Sequence, residues 1–286
     1  MFALLLLAST ASLAGAVSTL REAESGEGLF LELFTTSSSY IYSFATFLAF
    51  LGPLAGIALG FDAINNERNM GTLNRLAAQP IYRDSIINAK FLAAAAAEGV
   101  MVLTLGLYVS GMGILLLGVH PTVEEVLRVA AFLVLTWVYM AFWLALSILF
   151  SVVCRHTATA ALSVLAIWLF LTLFMSLVAG GLANFLFPTE GIQGFSNMMA
   201  NYEAELALNR ISPYYLFVEA AVTILNPSVR AVGIITTSQL SGAIDSSLTF
   251  GQSLLLIWPH LVVMVALAMA AFACAYVVFM RQEIRA

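Results

Sequence analysis

Glu98 is the one acid that lies within a long apolar run of this sequence. If that run crosses a membrane, the charge costs roughly 2.5–3.5 kcal/mol on insertion scales, which makes Glu98 a candidate functional residue. The run from Lys90 to Gly118 is longer than one bilayer, and counting about 20 residues back from Gly118 puts Glu98 at its inner edge. We therefore expect an interfacial or structural role, with a place on a substrate pathway as the alternative.

Residues that bind metals are present but are not grouped. His120, His156 and His260 are far apart and lack metal-ligand spacing. Met198-Met199 suggests copper, yet the chain has 11 methionines, and in so apolar a sequence most of them are packing residues. Cys154 and Cys274 give no disulfide framework. We predict no metal site.

Patterns for hydrolysis and for nucleotide binding are also absent from the sequence. Glu124-Glu125-x-x-Arg128 resembles the double-glutamate motif of an intramembrane protease family, but it is one residue short before the arginine. A P-loop needs Gly-x(4)-Gly-Lys-[Ser/Thr], whereas the single lysine, Lys90, lies in Asn-Ala-Lys-Phe. If ATP drives this protein, another polypeptide must bind the nucleotide.

The composition requires a membrane. Of 286 residues, 62% are hydrophobic and 9% are charged, against about 25% charged in soluble domains. The apolar runs are continuous and of helical length, which predicts an all-α bundle in lipid rather than a barrel. We predict one domain, 1–286, with spans at about 2–19, 40–61, 90–118, 126–153, 158–180 and 256–280.

The first predicted span has two interpretations. Residues 1–16 are apolar and end in Ala14-Gly15-Ala16, a possible cleavage site of a secretory signal. No basic residues precede the apolar stretch, which favours a retained span. Pro53 in the second span, with Gly52, Gly56 and Gly60, predicts either a hinge or a close packing seam.

Basic residues are unevenly distributed between the two sides of the predicted bundle. One side, formed by 62–89, the turn at 154–157 and the C-terminus, has seven basic residues: Arg68, Arg75, Arg83, Lys90, Arg155, Arg281 and Arg285. The other side holds four arginines (Arg21, Arg128, Arg210, Arg230) and most of the acids. Because basic loops stay in the cytoplasm, we expect a multi-pass protein of the cell membrane with 62–89 and the C-terminus cytoplasmic.

The segment 62–89 carries the most informative pattern. Gly71-Thr72 can end one helix and cap the next, in which Leu73, Leu76 and Ala77 share one face. Pro80 closes this helix after about two turns. A short amphipathic helix exposed between two spans has little to bury its apolar face against, which indicates a partner protein with a groove for it.

The same segment resembles the cytoplasmic signature of ABC-2 type transporter permeases. The matching residues are Glu67, Gly71, Thr72, Leu73, Leu76, Pro80, Ile81, Arg83 and Lys90. The resemblance covers most of the chain, including the tight connection after the fourth span and the long outer segment before the last. It departs from the family where a cytoplasmic helix usually precedes the first span, and in having few acids in 62–89.

The resemblance implies a role for each part. Glu67, Gly71, Thr72, Leu73, Leu76, Pro80 and Arg83 would form the element that docks on a separate ABC ATPase subunit, with Arg155 and His156 as a second contact. ATP and Mg would be bound by that subunit, so we expect no cofactor and no enzyme activity in this chain. A second permease copy or relative would complete an exporter in membrane lipid; nucleic acid is not an expected partner.

Two further expectations concern the outer segment. Ser212-Pro213 starts and Asn226-Pro227 stops a short helix, which we expect to lie over the outer mouth of the bundle or to be a packed loop. The motifs Leu208-Asn-Arg210-Ile-Ser212-Pro213 and Leu225-Asn-Pro227-Ser-Val-Arg230 are similar to those of the multidrug and copper-processing branch. The alternative functions are an ATP-independent secondary transporter or channel and, third, a membrane-embedded enzyme. Inverted repeats and broken helices typical of the former are not evident.

Overall fold

In the part of the chain that this computed structural model describes, six helices are long and apolar enough to cross a membrane. The structure describes residues 1–22, 28–38, 41–71, 82–118, 120–190, 194–228 and 248–282. The spans are α1 (Phe2–Glu22), α3 (Phe44–Gly60), α5 (Arg83–Leu117), α6 (Val123–Val153), α7 (Thr157–Leu186) and α10 (Phe250–Arg281). The described residues contain no strand, so the predicted all-α membrane fold is confirmed.

The span boundaries differ from the predicted ones where a helix continues into polar sequence. The third span begins at Arg83 rather than at residue 90, and the last begins at Phe250 rather than at 256. Asp84 in the first turn suits the positive end of the helix dipole. Thr249 and Gln252 form a capping box that fixes the start of α10. Hydropathy detects the apolar part of a helix and misses these polar turns.

Helix α6 is the centre of the bundle. It packs against α3, α5, α7 and α10, and its side chains Phe132, Tyr139 and Trp143 are among the largest that are fully buried. Tyr139 donates a hydrogen bond to the Ala49 carbonyl oxygen of α3. The helices around α6 expose apolar side chains on their outer faces, which are suited to lipid.

The glycines of α3 form a seam against α6. A β-carbon on Gly56 would lie 2.8 Å from the Met140 carbonyl oxygen, and one on Gly60 would lie 2.8 Å from Ser147 Cβ. The Ser147 hydroxyl donates to the Ile57 carbonyl oxygen across the same contact. Of the two interpretations of this stripe, the close packing seam is present.

Three helices lie near one end of the bundle. This end holds Arg21, Leu116 and Arg128, together with most of the acids of the sequence. The three helices are α2 (Leu29–Thr35), α8 (Gly194–Asn209) and α9 (Pro213–Leu225). Helix α9 starts and ends as predicted: Ser212 caps it, Pro213 is its first residue, and Asn226 follows its end. It does not lie over the mouth, however. It packs between α6 and α10, where its Phe217 ring stacks on Tyr139 at 4.5 Å.

Helix α7 contains a π-helical turn at Phe170–Phe174. The Ser212 hydroxyl donates a hydrogen bond of 2.7 Å to the Leu171 carbonyl oxygen within this turn. Leu171 lies near the middle of α7, so the connection between α8 and α9 reaches deep into the bundle. Residues 194–225 therefore form a hairpin whose second helix, α9, enters between the spans and buries its apolar face there. Helix α8 packs against the second half of α7 and leaves Met198 and Met199 exposed.

Candidate coupling site

The segment 62–89, which is predicted to couple to a partner, begins with a turn that hydrogen bonds hold to the bundle. After α3, the helix α4 (Asn65–Asn69) begins where the Ile64 and Asn65 backbone N–H groups both donate to Ser151 Oγ, at 3.0 and 3.1 Å. Ser151 is buried near the end of α6. The start of α4 is therefore attached to α6 by two hydrogen bonds that satisfy its first N–H groups.

Two arginines attach the segment to the end of the last span. Arg68 of α4 donates to the Val152 carbonyl oxygen at 3.2 Å and to the side chain of Gln282. Arg83, at the start of α5, donates to the Phe279 and Gln282 carbonyl oxygens at 3.1 and 2.9 Å. Its guanidinium also lies 5.6 Å from the centre of the Phe279 ring. Arg68 and Arg83 thus bind the same end of α10 from the two sides of the segment.

An ion pair closes the base of the segment. Lys90 Nζ lies 2.7 Å from Glu67 Oε1, and about a quarter of each side chain is exposed. The pair joins α4 to α5, so the described residues on either side of 72–81 lie next to each other. We call the set Glu67, Arg68, Arg83, Lys90, Ser151 and Gln282 the anchor. Sequence reasoning found Glu67, Arg83 and Lys90 from the family signature, but missed Arg68, Ser151 and Gln282.

The predicted docking residues divide into two groups. Gly71 has a φ of +69° just after α4, a left-handed conformation that suits glycine, so the predicted helix end is confirmed. Thr72, Leu73, Leu76 and Pro80 lie outside the described residues. Met70 and Tyr82, on either side of them, are 70% and 84% exposed. Arg155 and His156 are exposed in the turn between α6 and α7, at the same end of the bundle.

Glu98 lies elsewhere, within the bundle. Its side chain is 0% exposed, which does not suit the interfacial role, whereas the structural role and the place on a substrate pathway stay predictions. Gly56 leaves the space that the carboxyl group fills, since a β-carbon there would be 2.9 Å from Glu98 Oε1. No hydrogen-bond partner for either carboxylate oxygen is present among the described residues. Sequence spacing along α5 could not show that α3 and α6 close over this residue.

A second group of charges joins the inserted hairpin to the last span. Glu219 of α9 accepts hydrogen bonds from Arg210 Nε at 3.0 Å and Nη2 at 2.9 Å. Its Oε2 also lies 2.7 Å from His260 Nε2 on α10, and His260 is 6% exposed. We call Arg210, Glu219 and His260 the hairpin triad. The sequence analysis noted Arg210 and His260 separately but missed Glu219, because the three are close only in the folded chain.

The pattern Glu124-Glu125-x-x-Arg128 is structural. Glu125 forms a capping box with Thr122 at the start of α6. Arg128 is 1% exposed, is paired with Glu124 at 2.9 Å, and donates to the Ile224 carbonyl oxygen and to Ser253 Oγ. These contacts fasten α6 to α9 and α10. Among the described residues, no group of three His, Cys, Asp or Glu side chains is arranged to hold a metal ion.

The family model of the ABC-2 family transporter proteins matches residues 1–284. No curated protein matches the chain significantly. A match across nearly the whole chain, together with the six apolar helices of the described residues, supports a multi-pass membrane protein of the transporter permease kind. The chain belongs to the ABC-2 family of transporter proteins.

Proposed function

We propose that this chain is the permease subunit of an ATP-driven exporter, and that residues 62–89 couple it to a separate ATPase subunit. The observation that supports the proposal is the anchor, which holds the residues on both sides of 72–81. A displacement at residues 71–82 acts on Arg68 and Arg83, and both side chains are bonded to the end of α10. Movement of a partner is thereby passed to the last span.

The anchor also connects the segment to the centre of the bundle. Helix α3 continues through residues 61–64 into α4, whose first N–H groups are held by Ser151 of α6. Four spans therefore meet at one base, and a force applied there reaches α3, α5, α6 and α10 together. We infer that two such chains, identical or related, form the transport path, with ATP and Mg bound by the partner ATPase subunits.

We also propose that this chain belongs to the multidrug and copper-processing branch of these permeases. Two residues of the motif that suggested it have clear roles: Arg210 binds Glu219, and Ser212 both caps α9 and binds the Leu171 carbonyl oxygen. The motif therefore contains contacts that hold the inserted hairpin. A family of permeases that keeps this hairpin would need the same residues, which supports the proposed relationship without defining a substrate.

Co-purification from mild detergent tests the coupling role. The tagged wild-type chain is compared with Leu73→Asp/Leu76→Asp, which places two charges on the apolar face that the partner is expected to cover. We expect a P-loop ATPase to co-purify with the wild type and to be lost from the double variant.

The matched control is Val123→Asp. Val123 is 79% exposed at the first turn of α6 on the opposite end, where an acid is favoured by the helix dipole. This variant should retain the ATPase. If no ATPase accompanies the wild type, or if the double variant keeps it, the role proposed for residues 62–89 is wrong.

A further inference from the structure

The carboxyl group of Glu98 is a buried polar group that neither the packing nor the proposed coupling explains. It lies on α5, roughly 12 Å along the helix axis from Lys90 at a rise of 1.5 Å per residue. Both oxygens are buried and lack a hydrogen-bond partner among the described residues. Buried polar groups are satisfied in most proteins, so an isolated carboxyl group inside a membrane bundle indicates a specific role.

The helices that close over Glu98 contribute no charge. Helix α3 contributes Gly56, and from Phe44 to Gly60 it contains no titratable side chain. Helix α6 contributes the backbone around Met140 and Leu144. The neighbouring titratable group of α6, Tyr139, donates its hydroxyl hydrogen to the Ala49 carbonyl oxygen.

Two polar side chains of α5 and α6 on either side are engaged with other partners. Trp137 of α6 donates to the Ala95 carbonyl oxygen at 2.8 Å, one turn before Glu98. Lys90, the basic residue of α5 on the same side, is paired with Glu67 at 2.7 Å. No cation among the described residues is therefore in position to compensate a negative charge on Glu98.

An ionised carboxylate without a cation or a hydrogen-bond donor is far more costly to bury than a neutral carboxylic acid. We propose that Glu98 is an intramembrane proton-binding site, and that its carboxyl group carries a proton when α3, α5 and α6 are packed as they are here. The ligand of this site is a proton. The inference does not depend on the coupling proposal, because it uses only the packing of three spans.

Proton binding at this site is linked to the position of α3. Glu98 Oε1 and the Met140 carbonyl oxygen both lie within 2.9 Å of the point where a Gly56 β-carbon would be. The neutral acid is compatible with that close approach. Separation of α3 from α6 admits water to the carboxyl group, which then releases its proton because water solvates the charged form. Glu98 is therefore protonated while α3 and α6 are in contact, and it is ionised when they separate. Helix α3 also leads into α4 and the anchor, so a movement of the anchor can reach this contact.

Infrared spectroscopy of the purified full-length chain in detergent micelles tests the proposal. We expect the wild type at neutral pH to show the C=O stretching band of a protonated carboxylic acid, and Glu98→Gln to lose that band. Glu219→Gln is the control: Glu219 is held by Arg210 and His260, so its replacement should leave the band in place. A wild-type spectrum without the band, or one in which Glu98→Gln retains it, overturns the proposal.

A second measurement needs no variant and so does not depend on correct folding of Glu98→Gln. Dicyclohexylcarbodiimide is apolar and modifies protonated carboxyl groups, and the modified residue is located by peptide mass spectrometry. We expect modification of Glu98 in the wild type at neutral pH. If the infrared band is present but disappears when sodium or potassium ions are added, the site binds a metal cation and the assignment of a proton is wrong.

Discussion

The ionisable side chains inside this bundle lie in two kinds of surroundings. Arg128 and Glu219 have charged partners and additional hydrogen bonds to the backbone or to a histidine. Glu98 has neither, although it is more deeply buried than Glu219. The first arrangement holds helices together, because breaking it leaves a charge unpaired in a region of low polarity. The second leaves a group whose charge depends on its access to water.

The hairpin triad predicts a large effect of removing one charge. In Glu219→Gln, Arg210 and His260 lose a charged acceptor, and the amide cannot accept both donors equally well. We expect the free energy of unfolding in detergent to fall by about 1–3 kcal/mol, measured as a lower midpoint of thermal unfolding by tryptophan fluorescence. Glu203→Gln is the control, because Glu203 is an exposed acid on the neighbouring helix α8. Equal midpoints for the two variants would contradict a stabilising role for the triad.

At the scale of elements, the contact between α3 and α6 depends on residues that have no side chain. Gly52 lies beside the Met140 side chain, Gly56 beside the Met140 backbone, and Gly60 beside Ser147. Close packing of this kind supplies van der Waals contact and allows short interhelical hydrogen bonds in lipid, where the hydrophobic effect gives no force between helices. The Ser147 and Tyr139 hydroxyl groups both use this closeness to reach carbonyl oxygens of α3.

The seam predicts opposite outcomes for two glycine-to-alanine substitutions. In Gly56→Ala the new methyl group meets the Met140 carbonyl oxygen at 2.8 Å, so the helices must separate, and we expect a loss of about 1–3 kcal/mol of stability. In Gly111→Ala, within α5, nothing lies within 4 Å of the new methyl group. The higher helix propensity of alanine should then stabilise the chain by up to about 1 kcal/mol. Thermal midpoints that move in the same direction in both variants would contradict the seam.

Elements whose signals are local were predictable from the sequence, and long-range arrangements were not. Ser212-Pro213 and Asn226-Pro227 bracket α9 correctly, because caps and proline act within one turn. The depth of α9, by contrast, is set by contacts with α6 and α10, which spacing along the chain does not contain. The burial of Glu98 was not predictable for the same reason. The sequence shows the apolar run around Glu98, but the burial of its carboxyl group depends on Gly56, a residue of a different span.

The candidate site was predictable to a similar extent. Glu67, Gly71 and Arg83 follow from the family signature, and Gly71 also from the left-handed turn that a helix end requires. Arg68, Ser151 and Gln282 come from three distant parts of the chain and form the anchor only after α6 and α10 are packed. Local sequence rules locate the segment 62–89, whereas the fold determines what its two ends are attached to.

At the scale of the whole molecule, the two ends of the bundle differ in charge. The end that carries the anchor is basic in sequence, and the end that carries Arg21, Arg128 and the hairpin holds most of the acids. Helix α5 runs between them, from Tyr82 just before its start to Thr122 and Val123 soon after its end. Because basic residues are retained on the cytoplasmic side during insertion, the anchor end is expected to face the cytoplasm.

Cysteine labelling in intact cells tests this orientation. With Cys154 and Cys274 first replaced by serine, Tyr82→Cys and Val123→Cys each introduce one thiol at a position that is 84% or 79% exposed. A membrane-impermeant maleimide should label the thiol at position 123 in intact cells and the thiol at position 82 only after permeabilisation. Tyr82 precedes the start of α5 and Val123 begins α6, soon after the other end of α5, so each is the control for the other. The reverse pattern would place the anchor outside, where no cytoplasmic ATPase reaches it, and would contradict both the orientation and the coupling proposed for residues 62–89.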